Sequence, residues 1–187
     1  MTPGMTIREY GRIRLRQMRE DDIAHWLKAN AGHSKEFAEG VYAQELAKPD
    51  GPGPDKQYVV ETMSGEWIGF AGFGAERNGD AGGYFFVADP FRGRGYGTEM
   101  VECVLRVMFE DCGAARCVID YHDWNEPAAR LYAKLGFVED MHIRISEGRL
   151  SGEDREMAPG KPVYAVVLVL TRERFLGGAS APGIEAV

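Results

Sequence analysis

Cysteine is scarce in this chain, and what there is does not pair. Cys103, Cys112 and Cys117 form no C-x-x-C motif and sit in apolar or charged surroundings. That argues against a disulfide framework and a structural zinc site, and for a reduced, cytoplasmic setting. Long apolar runs are missing too. The longest, residues 163–170, is strand-sized, far below the roughly 20 residues of a membrane span. The opening MTPGMTIREYGRIRLRQ has no apolar core, so neither a signal peptide nor a membrane partner is expected. Basic residues are in deficit, 22 against 29 acidic, for a net charge of −7. This balance speaks against nucleic acid as the main partner and suits a cationic small molecule or a basic peptide. His25, His33 and His142 are too dispersed to suggest a metal site. There is no internal repeat.

What is present is ordinary for a globular protein, with 44% hydrophobic and 27% charged residues in a chain of 187. The length fits one domain, taken as residues 1–176, and the tail 177–187 reads as flexible. KPDGPGPDK at 48–56 disfavours regular structure. Residues 146–160, polar and long for a connection, read as a lid or selectivity loop. Between these breaks the pattern predicts a short strand at 13–16 and a helix over 20–30, opened by acidic residues. A helical stretch follows at 34–46, interrupted by Gly40, then a hairpin of 58–62 and 67–73 and a buried strand at 83–87. The most regular helix is 96–111, where Met100, Val101, Val104, Leu105, Met108 and Phe109 form one apolar stripe. A strand at 116–121, a helix over 126–135 with Pro127 in its first turn, and strands at 137–145 and 163–171 complete the order. The sum is a mixed α/β sheet. The apolar strand 163–170 and the tail are the features that would support a homodimer.

The chemistry concentrates between residues 85 and 137. The strand GYFFV runs into ADPFRGRGYG and then the amphipathic helix. Gly93, Gly95 and Gly97 let the backbone turn sharply and approach a ligand. The first amides of the helix have no partner within it, and its dipole adds positive potential there. A polyphosphate is the ligand this arrangement suits, with Arg92 and Arg94 as additional forks. A dinucleotide-binding loop competes, with Asp120 near the place of a ribose-binding acid. However, the spacing is GxGxG, and five residues separate the strand from the first glycine.

Arg92, Gly93, Arg94, Gly95, Tyr96 and Gly97 resemble the RxxGxG/A pyrophosphate motif of the GNAT N-acetyltransferases. NEPAARLYAKLGF, from Asn125 to Phe137, resembles the second signature of the same superfamily, NxxAxxLYxKxGF. Both occur in family order with one strand between them. The resemblance implies a GNAT fold: a mixed central sheet of about seven strands, splayed at its middle and flanked by about four helices. It implies acetyl-CoA as cofactor, its pantetheine arm bonded to the main chain of Phe85, Phe86 and Val87. It further implies that the amides of Arg92, Gly93, Arg94, Gly95, Tyr96, Gly97 and Thr98 hold the pyrophosphate. Asn125 is implied on the pantetheine side, and Tyr132 as the general acid for the departing thiolate.

The implied reaction is acetyl transfer to a primary amine by direct attack in a ternary complex, and the amine must lose a proton on the way. Many family members carry a glutamate on the strand before the phosphate loop, and this strand has none. Asp80 reaches only if the chain folds back. His122 and Asp120, on one face of the following strand by alternation, are the other candidate bases, and imidazole is the chemically better proton acceptor near neutral pH. Cys103 and Cys117 read as packing residues, not acyl carriers. The acceptor reads as a small cationic amine or a protein N-terminus, with an amino acid still open. The resemblance puts Glu36, Glu39, Glu45, Asp50 and Asp55 near the acceptor site, though they read first as a solvated acidic helix face, and Trp26, Tyr42, Trp67 and Trp124 either line that site or fill core. Two other readings stand beside this one: a catalytically silent CoA-binding regulatory module and an NAD(P)-binding oxidoreductase.

Overall fold

The computed structural model describes residues 5–75 and 79–177. The tail expected at 177–187 therefore lies, beyond Gly177, outside the described residues. The chain divides into two compact units, Met1–Ala114 and Ala115–Val187.

The first unit is built on five strands, each antiparallel to the next: β1 (Thr6–Tyr10), β2 (Ile13–Gln17), β3 (Lys56–Thr62), β4 (Trp67–Ala75) and β5 (Asp80–Val87). β1 was not expected. Its TIREY sequence neither alternates nor buries a face, so it carries no hydrophobic signature and is held by pairing and by the ion pairs of Arg8 with Glu110 and Asp111. Helices α1 (Ile23–Ala29) and α2 (Lys35–Leu46) cover one face of this sheet, packing Trp26, Ala38 and Tyr42 onto Met18, Val59 and Phe70. Ser34 caps α2 by accepting from the Phe37 amide at 3.2 Å. Gly40 is tolerated within α2 because it lies exposed with open space around it. On the opposite face lies α3 (Tyr96–Arg106), whose stripe of Met100, Val101, Val104 and Leu105 is buried. The helix expected to run to Asp111 does so, but widens over Val107–Asp111 into a π-helix that keeps Val107, Met108 and Phe109 inside.

The Phe86 carbonyl explains Gly69. A Cβ at Gly69 would stand 1.9 Å from the Phe86 carbonyl oxygen and 3.3 Å from the Met100 methyl carbon, so any larger residue would force β4 and β5 apart beneath α3.

The second unit holds β6 (Arg116–His122), β7 (Val138–Arg144) and β8 (Tyr164–Thr171), with β8 between the other two and antiparallel to both. The strand expected to support a homodimer is thus an interior strand of its unit, paired on both edges. Its alternation buries Val166, Leu168 and Leu170 beside Cys117 and Ile119 of β6. Helix α4 (Glu126–Lys134) packs on that buried face, where Tyr132 meets Tyr121 with ring centroids 6.2 Å apart. Asp120 and His122 necessarily point to the other face of β6. The polar stretch read as a loop is partly helical: α5 (Gly152–Met157) begins at a Ser151–Asp154 capping box and buries Asp154 completely. A last short helix, α6 (Arg172–Leu176), follows β8. The described residues thus hold eight strands and six α-helices, where about seven and about four were expected.

Candidate active site

β5 delivers the chain into a turn of 3-10 helix, Asp89–Phe91, and then into the glycine segment. Phe91 is buried there and anchors the turn, edge-on to Tyr96 at 5.7 Å. Gly93 at φ 70° and Gly95 at φ 86° take left-handed conformations that L side chains adopt only under strain. Of the seven amides assigned to a pyrophosphate, two are already engaged: Arg92 N donates to Asp89 O and Thr98 N to Gly95 O. The amides of residues 93–97 have no acceptor among the described residues. Five consecutive N–H groups at the mouth of an eleven-residue helix are therefore left to point at an anion. Arg92 donates from Nε to the Val87 carbonyl at 3.0 Å and pairs with Asp89 at 3.2 Å, both at the surface. Its guanidinium stands beside the end of the strand assigned to the pantetheine arm.

One supporting residue escaped sequence reasoning. Arg12, at the turn between β1 and β2, reaches this loop from 82 residues away, donating from Nη2 to the Arg94 carbonyl at 3.0 Å. Its main-chain N and its Nε bind the two Glu99 carboxylate oxygens at 2.8 and 2.7 Å, and its guanidinium lies 4.4 Å from the centre of the Tyr96 ring. Gly11 makes the approach possible: a Cβ there would meet Glu99 Oε2 at 2.7 Å, and its φ is 57°. Arg12 thus ties the hairpin turn to the loop and to the first turn of α3. No local pattern announces a contact of this range.

In the second unit, Asn125 caps α4, its Oδ1 accepting from the Ala128 amide at 3.2 Å. The carboxamide NH2 is the part left for a ligand. Tyr132 is half-buried, and burial first, then the nearby Cys117 and Asp120, push its hydroxyl up to about 12. It stays protonated at neutral pH.

Asp120 and His122 share the wall of an open cavity of about 390 Å³ with Arg144, Ser146 and Arg149. Asp120 is exposed. His122 is held from behind: its Nδ1 lies 2.5 Å from Oδ1 of the buried Asp154. Composition alone did not single out Asp154, although S-x-x-D at 151–154 is a recognisable helix start.

Asp80 opens β5 and lies about 23 Å of extended chain from Val87, so the strand cannot bring it to the loop. Among the acidic residues near α2, Glu45 is buried and binds Lys48 and the Gln57 amide, and Asp55 caps the Ala75 amide at 3.1 Å. Both carboxylates have structural work. Trp26 and Tyr42 are core, with the Trp26 indole donating to Ala38 O at 2.8 Å, while Trp67 stacks on His25 at 4.3 Å. Trp26 also edges an aromatic recess of about 280 Å³ with Asn30, Gln57, Phe70, Tyr84 and Phe86. Cys103 and Cys117 are fully buried, and burial pushes both thiols up to about 12, which leaves almost no thiolate to carry an acyl group.

Among the described residues, no helix is long and apolar enough to cross a membrane. The family description "Acetyltransferase (GNAT) domain" matches residues 12–138. A curated relative, the SPbeta prophage-derived uncharacterized N-acetyltransferase YokL of Bacillus subtilis (strain 168), is 35% identical over 68 residues. That match spans 36% of this chain and only 38% of the relative's length. Among solved structures, spermidine N-acetyltransferase from Vibrio cholerae, in complex with CoA and spermine, superposes with a TM-score of 0.74 at 16% identity, covering 88% of this chain and 98% of that one. A GNAT-family acetyltransferase from Bacillus anthracis gives a TM-score of 0.68 at 13% identity over 90% and 99% of the two chains. At these identities the structural likeness is one of fold. Together with the family match over more than half the sequence, it means that the chain belongs to the GNAT acetyltransferase family.

Proposed function

We propose that the chain transfers an acetyl group from acetyl-CoA to a primary amine by direct attack, with both substrates bound together. The observation that carries this reading is the run of unpaired amides at residues 93–97, opening α3 in a member of the GNAT family. A pyrophosphate is the anion whose size and charge suit five such donors, with Arg92 and Arg94 beside them. The main chain of Phe85, Phe86 and Val87 and the free carboxamide NH2 of Asn125 are assigned to the pantetheine arm.

Acetyl-CoA, when bound, supplies an activated thioester carbonyl. The chain's own task is to manage protons. The amine must give one up, and His122, with Asp120 beside it, is the group assigned to accept it. Tyr132 is assigned to the departing sulfur. A hydroxyl at about 12 faces a thiol whose ordinary pKa is about 8.5, so full proton transfer runs uphill. Tyr132 is therefore read as a hydrogen-bond donor that stabilises the thiolate. The three free cysteines agree with action in the reducing cytoplasm.

For the acceptor, a small cationic amine or a protein N-terminus fits the net charge of −7 and the spermine held by the V. cholerae fold relative. An amine that also carries a carboxylate is a second reading. It is favoured by Arg144 and Arg149, which line the His122 cavity and form no ion pair among the described residues.

Thermal unfolding with acetyl-CoA, CoA, NAD and NADP in parallel tests the cofactor. A ligand at about 100 times its Kd adds about 2.7 kcal/mol, roughly 5–10 °C in Tm for a chain of this size. Acetyl-CoA and CoA are expected to give that shift, and thiol release is then read with spermine and with free amino acids as acceptors. A shift with NAD or NADP alone, or none at all, overturns the proposal. A CoA shift without thiol release from any amine identifies the silent binding module instead.

A further inference from the structure

A histidine at a cavity wall does not need a buried anion behind it, yet His122 has one. Asp154 is 0% exposed. Its Oδ2 accepts from Ser151 N and Ser151 Oγ at 2.8 Å each, and its Oδ1 accepts from Trp124 Nε1 at 2.9 Å and faces His122 Nδ1 at 2.5 Å. Burial by itself raises the pKa of this carboxyl, but the donors from Ser151, Trp124 and His122 outweigh it and hold the group well below the usual carboxylate range. Asp154 is therefore an anion at neutral pH, and an ionised carboxylate only accepts. It follows that Nδ1 carries the hydrogen and that the lone pair of the neutral ring lies on Nε2. The ring is also steadied by Trp124, edge-on with centroids 6.0 Å apart. The side chain of His122 remains 32% exposed, on the cavity side. The charged groups facing it are Asp120 of β6, Arg144 of β7, Arg149 of the following turn and Asp154 of α5.

We propose that Asp154 is the positioning residue for His122 in acetyl transfer, holding the imidazole as its Nδ1–H tautomer so that Nε2 is presented to the cavity as acceptor of the amine's proton. The inference rests on the acetyltransferase reading and names the machinery behind its proton step. In that step the N–H bond of the amine breaks as nitrogen bonds to the acyl carbon, and the proton passes to Nε2. The electron pair of the C–S bond leaves with sulfur, and the thiolate takes a proton from solvent. The imidazolium, stabilised by Asp154, then returns its proton to solvent. The segment 146–160 thus contributes a buried anion behind the cavity.

Long-range 1H–15N correlation spectra of the full chain, without ligand, read the tautomer directly. Wild-type His122 is expected as the Nδ1–H form, and Asp154→Asn is expected to shift the ring toward Nε2–H. An Nε2–H form in the wild type overturns the proposal. With an amine that the wild type acetylates, Asp154→Asn is expected to lower kcat by about 10²-fold while the acetyl-CoA Kd stays within about twofold. Trp124→Phe, which removes one donor from the same carboxylate, is expected to lower kcat severalfold and decides the matter if Asp154→Asn does not fold. Unchanged kcat with binding intact overturns this proposal alone. A wild type that binds no acetyl-CoA overturns the reading beneath it.

Discussion

Arg16, Asp22 and Glu61 in the first unit, and Asp154 with Ser151, Trp124 and His122 in the second, are both carboxylate networks shut away from water. Only the second has a titratable member whose remaining polar atom faces a cavity. Arg16 is 4% exposed and binds both Asp22 oxygens at 2.7 Å through Nη1 and Nη2, and Glu61 at 2.7 Å through Nε. Arg14 closes the other Glu61 oxygen at 2.9 Å, and the Arg19 amide adds a further donor to Asp22 at 2.8 Å. Every charge in this network ends on another charge or on backbone. In the Asp154 network the last donor, His122, turns its second ring nitrogen outward. The closed network joins β2, β3 and the turn before α1, whereas the open one aims an imidazole. A buried network is suspected of chemistry when one titratable member has a free atom facing a cavity.

The largest effect is expected from opening the closed network. Arg16→Met would leave Asp22 and Glu61 buried without their shared cation, which costs about 3–5 kcal/mol, or roughly 10 °C in Tm. Acetyl-CoA affinity per folded molecule should not change. A Tm within about 2 °C of wild type would mean that the network contributes nothing measurable and that the contrast between the two sites is not energetic.

Acid should act on both networks together. Burial raises Glu61, but Arg16 and Arg14 outweigh it and hold the carboxyl below its ordinary range; Asp154 is lowered by its donors in the same sense. With folded values below unfolded ones, their stabilisation is fully present above about 4.5 and is lost as pH falls through the folded values. Tm is expected to be flat from neutrality to about pH 5 and to fall steeply below about pH 4. Glu61→Gln should flatten that acid limb while lowering the plateau. An acid limb of the same steepness in that variant would assign it to other carboxylates.

How much of this was legible in the sequence follows from range. The stripe of α3, the glycine turn before it and the start of α4 with Pro127 in its first turn are written in neighbouring residues, and each stands where local pattern put it. β1 was invisible because an edge strand that buries no face has no period to read. The Asp154 network was half legible: Ser151 and Asp154 announce a helix start inside a supposed loop, but nothing local says that the capping carboxylate also faces His122, 32 residues earlier. The edge position of β7 and the interior position of β8 are reversed relative to chain order, and strand composition alone does not state that order.

Arg12 supplies the third, most exposed case, and the smallest expected effect on stability. Its side chain is 53% exposed, so solvent screens its pairing with Glu99, and removing it should leave Tm close to that of the wild type. Its hydrogen bond to the Arg94 carbonyl and its stacking on Tyr96 nevertheless hold the loop whose amides are free. Arg12→Ala is therefore expected to raise the acetyl-CoA Kd about fivefold to tenfold, through a loop that must be ordered by the ligand instead of by the hairpin. Isothermal titration at fixed ionic strength, beside a melting curve, separates the two quantities. A Kd equal to wild type would show that the loop holds its shape unaided. A loss of Tm as large as that of Arg16→Met would place Arg12 with the closed network, as a structural cation and not a support of the binding loop.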